Sequence, residues 1–134
     1  MEKYLDLLLA MPLFQGIGNK KDLAWVMKCV DGNVKEYRAG QVIFEKGEDV
    51  YFEGMIVSGI AQMEDGDKVV NIDTSKLIPI PYESGKSVQS PGRVTAKTDC
   101  RILFMRWIRL MKICNFECAF HKQLLKNLEN LKSI

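Results

Sequence analysis

A single histidine, His121, is all the imidazole in this chain, and neither a Gly-x-Ser-x-Gly elbow nor a Gly-x-x-x-x-Gly-Lys-Ser/Thr phosphate loop occurs in it. Nucleophile–base pairs and nucleotide hydrolysis therefore lack their usual parts, and a non-enzyme is expected. Neither sign of charge is in excess: 19 basic residues stand against 17 acidic ones, spread along the whole length, for a net charge of +2. No polyanion partner is announced by that balance. No apolar run approaches the roughly 18 residues of a membrane span, and Glu2 and Asp6 spoil the opening segment as a signal peptide. A cytoplasmic protein without membrane contact is the expectation. The cysteines, Cys29, Cys100, Cys114 and Cys118, form no Cys-x-x-Cys pair and no dense framework. They are expected as small buried hydrophobes in a reducing compartment.

What is present is enough for one core. A chain of 134 residues has the length of a single domain, and its 47% apolar and 27% charged residues are ordinary for a globular protein. Three zones follow from the periodicity: helices over 1–32, a roll of short strands over 33–106 and helices over 107–134. In the first zone Tyr4, Leu5, Leu8, Leu9 and Met11 share one face until Pro12, and Asn19 is placed to cap a second helix carrying Leu23, Val26, Met27 and Val30 as far as Gly32. From Val34 the period becomes two, in runs of Val, Ile, Tyr and Phe punctuated by Gly40, Gly47, Gly54, Gly59 and Gly66. Asp65-Gly66 predicts the centre of a tight hairpin, with both residues at positive φ. Many short strands at close spacing indicate a barrel or jelly roll rather than a parallel sheet.

The last zone carries a short helix, "WIRLMKIC", and a longer one in which His121, Leu124, Leu128 and Leu131 form an a/d seam, with Phe120 and Leu125 as a second apolar edge. A homodimer through this helix is expected, with packing onto the chain's own roll as the alternative. Cys114, Cys118 and His121 fall at i, i+4 and i+7 of that region, a stripe of soft ligands that could hold a metal. The same residues equally serve as gap fillers and a seam position, so no metal and no cofactor are expected. A disulfide across one helical turn would be strained. A metal-dependent cupin enzyme, the enzyme alternative for a small β-roll, needs several histidines or carboxylates converging inside the barrel.

Helices, a glycine-punctuated roll and a long amphipathic helix follow the order of a cyclic-nucleotide-binding-like sensor domain. "YRAGQVIFEKGED" (Tyr37 to Asp49) resembles the strand–turn–strand signature of the Crp/Fnr transcription regulators, with Gly40 and Gly47 at its turns. "IVSGIAQM" resembles the next strand pair, "TAKTDCRILFM" the strand that leads to the helices, and "CNFECAFHKQLLKNLENL" the start of the dimerisation helix in some clostridial members. The resemblance implies a double-stranded β-helix (jelly roll) followed by a dimerisation helix. It also implies DNA contact only through a helix-turn-helix domain, which this chain does not contain. The seam carried to the chain end without a C-cap glycine points to the sensor half of a longer regulator, a stand-alone sensor being the other possibility.

In nucleotide-binding members the roll is interrupted by a Gly-Glu pair followed about ten residues later by an arginine and a hydroxyl. The carboxylate takes the ribose hydroxyl and the guanidinium forks onto the cyclic phosphate. Taking Arg93 as that arginine places Glu83 ten residues before it and Thr95 two after. Counting back from "AKTDC" instead puts the arginine and hydroxyl positions at Ser90 and Pro91 and the acid near Ile80. On either count the glycine before the acid is missing, with Tyr82 preceding Glu83, and Pro79 and Pro81 each remove an amide donor. A cyclic nucleotide is therefore not the expected ligand. Another small-molecule effector, an anion being one option, is expected at Glu83, Ser84, Ser90, Arg93 and Thr95, with Lys86 and Ser87 as further contacts. The alternative is a degenerate connection whose Arg93 is solvated or pairs with Glu83, leaving a module that only dimerises or interacts.

Overall fold

The computed structural model describes residues 2–80, 88–111 and 119–132. A 3-10 turn, Glu2–Tyr4, opens into α1 (Leu5–Leu9), whose Leu5 and Leu8, with Tyr4 and Met11, turn into the core. Pro12 does not merely stop this run: it starts a second 3-10 turn, Pro12–Phe14, that buries Leu13 and Phe14. Helix α2 (Lys20–Cys29) begins where the sequence places its cap, the Asn19 Oδ1 accepting from the Asp22 amide at 2.9 Å. It ends just before Gly32, as the periodicity indicates: Asp31 adopts the left-handed conformation at φ 53°, and the Gly32 amide reaches back to the Met27 carbonyl at 2.7 Å, closing a Schellman turn.

The strands follow: β1 (Asn33–Tyr37), β2 (Val42–Phe44), β3 (Asp49–Val50), β4 (Phe52–Ser58), β5 (Ala61–Asp65), β6 (Lys68–Ile72), β7 (Val88–Gln89), β8 (Arg93–Ala96) and β9 (Cys100–Arg106). All described pairings are antiparallel, in the orders β1-β9-β4, β2-β8-β5-β6 and β3-β7. Non-consecutive neighbours in each sheet are what a jelly roll requires, because the chain crosses repeatedly from one layer to the other. The β5–β6 hairpin forms as expected, but Asp65 pairs with Lys68, so the central residues are Gly66 and Asp67. Only Gly66, at φ 60°, is left-handed, as in a turn with glycine at its first central position.

The period of two divides the first sheet between two environments. Ile102, Phe104, Gly54 and Ile56 share one face, where Phe44 of β2 meets Phe104 edge-on at 5.9 Å, so this face looks into the roll. Glu36 and Glu53 lie on the other face and meet the helices: Tyr4 donates to Glu36 at 2.8 Å, and the Trp107 indole donates to Glu53 at 3.2 Å. Gly59 joins β4 to β5 at φ 87°, and a side chain there would strike the Asp99 carbonyl. Only glycine satisfies both conditions. Beyond β9 come α3 (Trp107–Leu110) and α4 (Ala119–Lys132). Among the described residues no helix is long and apolar enough to cross a membrane.

Helix α4 packs most of its seam within the chain. Leu124 and Leu128 are buried at 0% and 2% exposure, and His121 at 3%, all within the one chain. Asn127 sets the docking, its amide donating to the carbonyls of Leu13 at 2.9 Å and Gln15 at 2.7 Å while its oxygen accepts from Gln123. Those two carbonyls leave the Pro12–Phe14 turn without a partner of their own along it, and a side-chain amide supplies two donors at the right spacing. The inner residues of the seam are thus covered by the N-terminal helices rather than left for a second copy. Phe120, Leu125 and Leu131 remain only partly buried against the core.

Candidate functional site

After β6 the chain turns through Ser75, at φ 73°, and runs back along β4. The Ser75 amide donates to Ile56, the Ile56 amide to Lys76 and the Ile78 amide to Gly54, at 2.7, 3.0 and 2.8 Å. This carries Ile78 and Ile80, both buried, onto the inside of the roll. Gly54 makes room for them: a Cβ there would lie 2.7 Å from the Ile78 Cδ1 and 3.2 Å from the Phe104 ring. The segment that follows, with Glu83, Ser84, Lys86 and Ser87, lies outside the described residues. Beyond it, β7 pairs with β3, and the Ser90 amide donates to the Glu48 carbonyl while the Ser90 carbonyl accepts from Gly47, each at 2.8 Å.

Three of the residues expected to contact a ligand can be placed. Ser90 is buried at 2% exposure, and its hydroxyl donates to the Gly92 carbonyl at 2.7 Å, which holds the corner between β7 and β8. Arg93 and Thr95 alternate with Val94 and Ala96 along β8. The apolar pair is buried, so the period of two turns Arg93 and Thr95 to the outer side. Arg93 pairs there with Glu45, Nε to Oε2 at 3.2 Å, with both side chains more than half exposed. Among the described residues its partner is Glu45, and such an exposed pair adds little stability. Of the expected anion contacts, those described are not brought together into one site.

Of the Cys114, Cys118 and His121 stripe, His121 lies among the described residues. His121 Nε2 lies 2.6 Å from the Leu110 carbonyl oxygen, a contact in which the ring nitrogen donates. Cys114 and Cys118 lie outside the described residues, and among the described residues no group of three His, Cys, Asp or Glu could hold a metal ion. Cys100 is buried as expected, its thiol directed at the carbonyls of Ile60 and Thr98 at 3.1 and 3.2 Å, and burial pushes its pKa up. Cys29 is half-buried on α2.

A polar contact that the sequence reading missed joins the roll to the C-terminal helix. Glu53, 1% exposed on β4, accepts from the Trp107 indole through Oε2 and lies 3.2 Å from the Lys132 ammonium through Oε1. Burial raises the Glu53 pKa above the ordinary 4.5, with Lys132 and Trp107 opposing the shift. The signal was available in "FEGMIV", where one acid interrupts a strand otherwise made of apolar residues and glycine. A carboxylate in that setting asks for a partner.

No protein-family model and no curated protein sequence matches the chain. Solved structures do. A cyclic nucleotide-binding domain from Methylobacillus flagellatus KT superposes with a TM-score of 0.77 at 10% identity, covering 98% of this chain and 78% of that one. The N-terminal domain of a transcriptional regulator from Streptomyces coelicolor A3(2) gives 0.68 at 16% identity, over 93% and 89%. The sensor domain of the transcriptional regulator DNR from Pseudomonas aeruginosa gives 0.59 at 11% identity, over 98% and 80%. At these identities the similarity is one of architecture, and the chain has the jelly-roll fold of the cyclic-nucleotide-binding domains.

Proposed function

We propose that this chain is the effector-sensing domain of a Crp/Fnr-like transcription regulator, and that its effector is a small molecule other than a cyclic nucleotide. Support for the first part comes from the motifs in "YRAGQVIFEKGED" and "TAKTDCRILFM" together with a fold shared with sensor domains of transcriptional regulators. The second part rests on the direction of one side chain. Arg93 is the only arginine between Ile78 and Cys100, and it points out of the roll to Glu45. A cyclic phosphate needs a guanidinium inside, where low dielectric strengthens it.

The reading carries a mechanism. Helix α4 is held to the N-terminal turn by Asn127 and to β4 by the Glu53–Lys132 pair. An effector that binds one α4 arrangement better than another shifts the population between them; equal affinity for both would shift nothing. DNA would be reached through a C-terminal domain outside this chain. Homodimerisation belongs to the same proposal, with the partly buried edge of Phe120 and Leu125 as the surface left for a second copy. The chain acts as a cytoplasmic binding module, with no catalytic role and no resident cofactor. A second reading, a module that dimerises without sensing, draws on Ile78 and Ile80 filling the roll at the cradle.

Thermal-shift titration with cyclic AMP, cyclic GMP and a panel of small anionic metabolites separates these. A ligand at 100 times its dissociation constant stabilises by about 2.7 kcal/mol. The expected result is no shift with either nucleotide and a shift with a panel member. A rise with a nucleotide that disappears in Arg93→Ala would overturn the proposal, and a panel without any hit favours the non-sensing module.

A further inference from the structure

Strands β1, β2 and β3 and the start of β4 leave a cleft of about 410 Å³, within the range that takes a small ligand. None of its described lining residues belongs to 78–96. Phe104 sits at its centre, with the rings of Tyr37, Phe44 and Phe52 meeting it edge-on at 6.5, 5.9 and 6.3 Å. Over the Phe104 ring, at 5.8 Å from its centroid, stands the ammonium of Lys35. Glu48 and Asp49 lie at the same cleft. Asp31 also lines it, but its charge is partly answered by Arg106 at 3.9 Å. Among the described lining residues acids therefore outnumber the one base, and aromatic faces add a negative quadrupole. Of the two causes that hold the Tyr37 hydroxyl above its ordinary pKa, burial is the larger and says nothing of sign; the second, the Glu48 charge, is the one felt as a negative field at the cleft.

An anion would meet repulsion here, and a neutral ring would gain nothing from the carboxylates. We propose that this cleft is a binding site for a small organic cation, an alkyl- or arylammonium ion, which takes the place over Phe104 that the Lys35 ammonium holds in this structure. Lys35 is then an internal competitor. Its long flexible stem lets it withdraw to solvent when a cation without such a tether arrives. The inference is independent of the cradle reading, since it uses different residues and a ligand of opposite charge.

The probe is benzyltrimethylammonium chloride, titrated into the full chain by calorimetry and by ring-proton NMR, with sodium benzenesulfonate as the anion of similar shape at matched ionic strength. Saturable millimolar binding of the cation is expected, with shifts at Tyr37, Phe44, Phe52 and Phe104. Lys35→Met should tighten it by threefold or more because the competitor is gone, and Glu48→Gln should weaken it by about threefold. Both positions are at the surface of the cleft, and unchanged melting temperatures would confirm that the fold is intact. Equal binding of benzenesulfonate overturns the proposal, as does an affinity for the cation that Lys35→Met leaves unchanged or lowers. Ring shifts confined to residues outside the cleft would overturn it as well.

Discussion

Lys132→Met tests the buried contact between roll and C-terminal helix. In the native protein the Glu53 carboxylate is 1% exposed and has two partners, the Trp107 indole and the Lys132 ammonium. Methionine keeps most of the volume of the lysine stem and deletes its charge, so the carboxylate is left with the indole alone. Breaking a fully buried pair in this way costs about 3–5 kcal/mol, but the Lys132 side chain is 36% exposed, and water screens the pair. A loss of about 1.5–3 kcal/mol at pH 8 is expected from urea unfolding. Protonation should rescue it. Because the folded-state pKa of Glu53 is raised above 4.5, the native state holds the proton longer than the unfolded chain does. Its contribution to stability is present below the ordinary carboxylate range and is lost as pH rises through the raised folded value. The cost of Lys132→Met should thus shrink as pH is lowered toward 5. In Glu53→Gln the amide oxygen still accepts from Trp107, so the double variant Glu53→Gln/Lys132→Met should be no less stable than Glu53→Gln alone. A Lys132→Met protein as stable as the native one at pH 8, or an equal loss at both pH values, would refute the argument.

Two further outcomes follow from the described contacts. Gly59→Ala forces a side chain into a backbone at φ 87° and against the Asp99 carbonyl, costing about 2–3 kcal/mol and lowering the melting temperature by on the order of 10 °C by calorimetry. Asn127→Ala removes both donors from the carbonyls of Leu13 and Gln15, for about 2–4 kcal/mol. Hydrogen exchange should show the α4 amides opening well before those of β4 and β9; uniform loosening of the whole domain would count against a local tether.

Elements whose signal is local were legible in the sequence. The Asn19 cap, the strand zone, the β5–β6 hairpin and the helical C-terminus each depend on residues within a few positions of one another, and spacing reports such contacts directly. The one shift was small and also local in cause: the hairpin centre moved one residue so that Gly66 takes its first central place. What face a side chain takes within the assembled roll was a different matter. From the sequence Arg93 fits a phosphate site ten residues after Glu83, yet Val94 and Ala96 claim the interior, and the period of two then leaves Arg93 on the outside with Glu45.

The seam on α4 shows the same division. His121, Leu124 and Leu128 determine that the helix has an apolar face, because burial of that face is what makes it a helix in water. Nothing in the seam says what covers it. Asn127, more than a hundred residues from the carbonyls of Leu13 and Gln15, decides that the covering surface is the chain's own N-terminal turn. Likewise Glu53, Trp107 and Lys132 meet only because β4 and the two last helices come together in space. Local periodicity determined the elements; which residues became a site, a latch or a cleft was decided by pairings between distant segments, whose energies depend on the assembled fold.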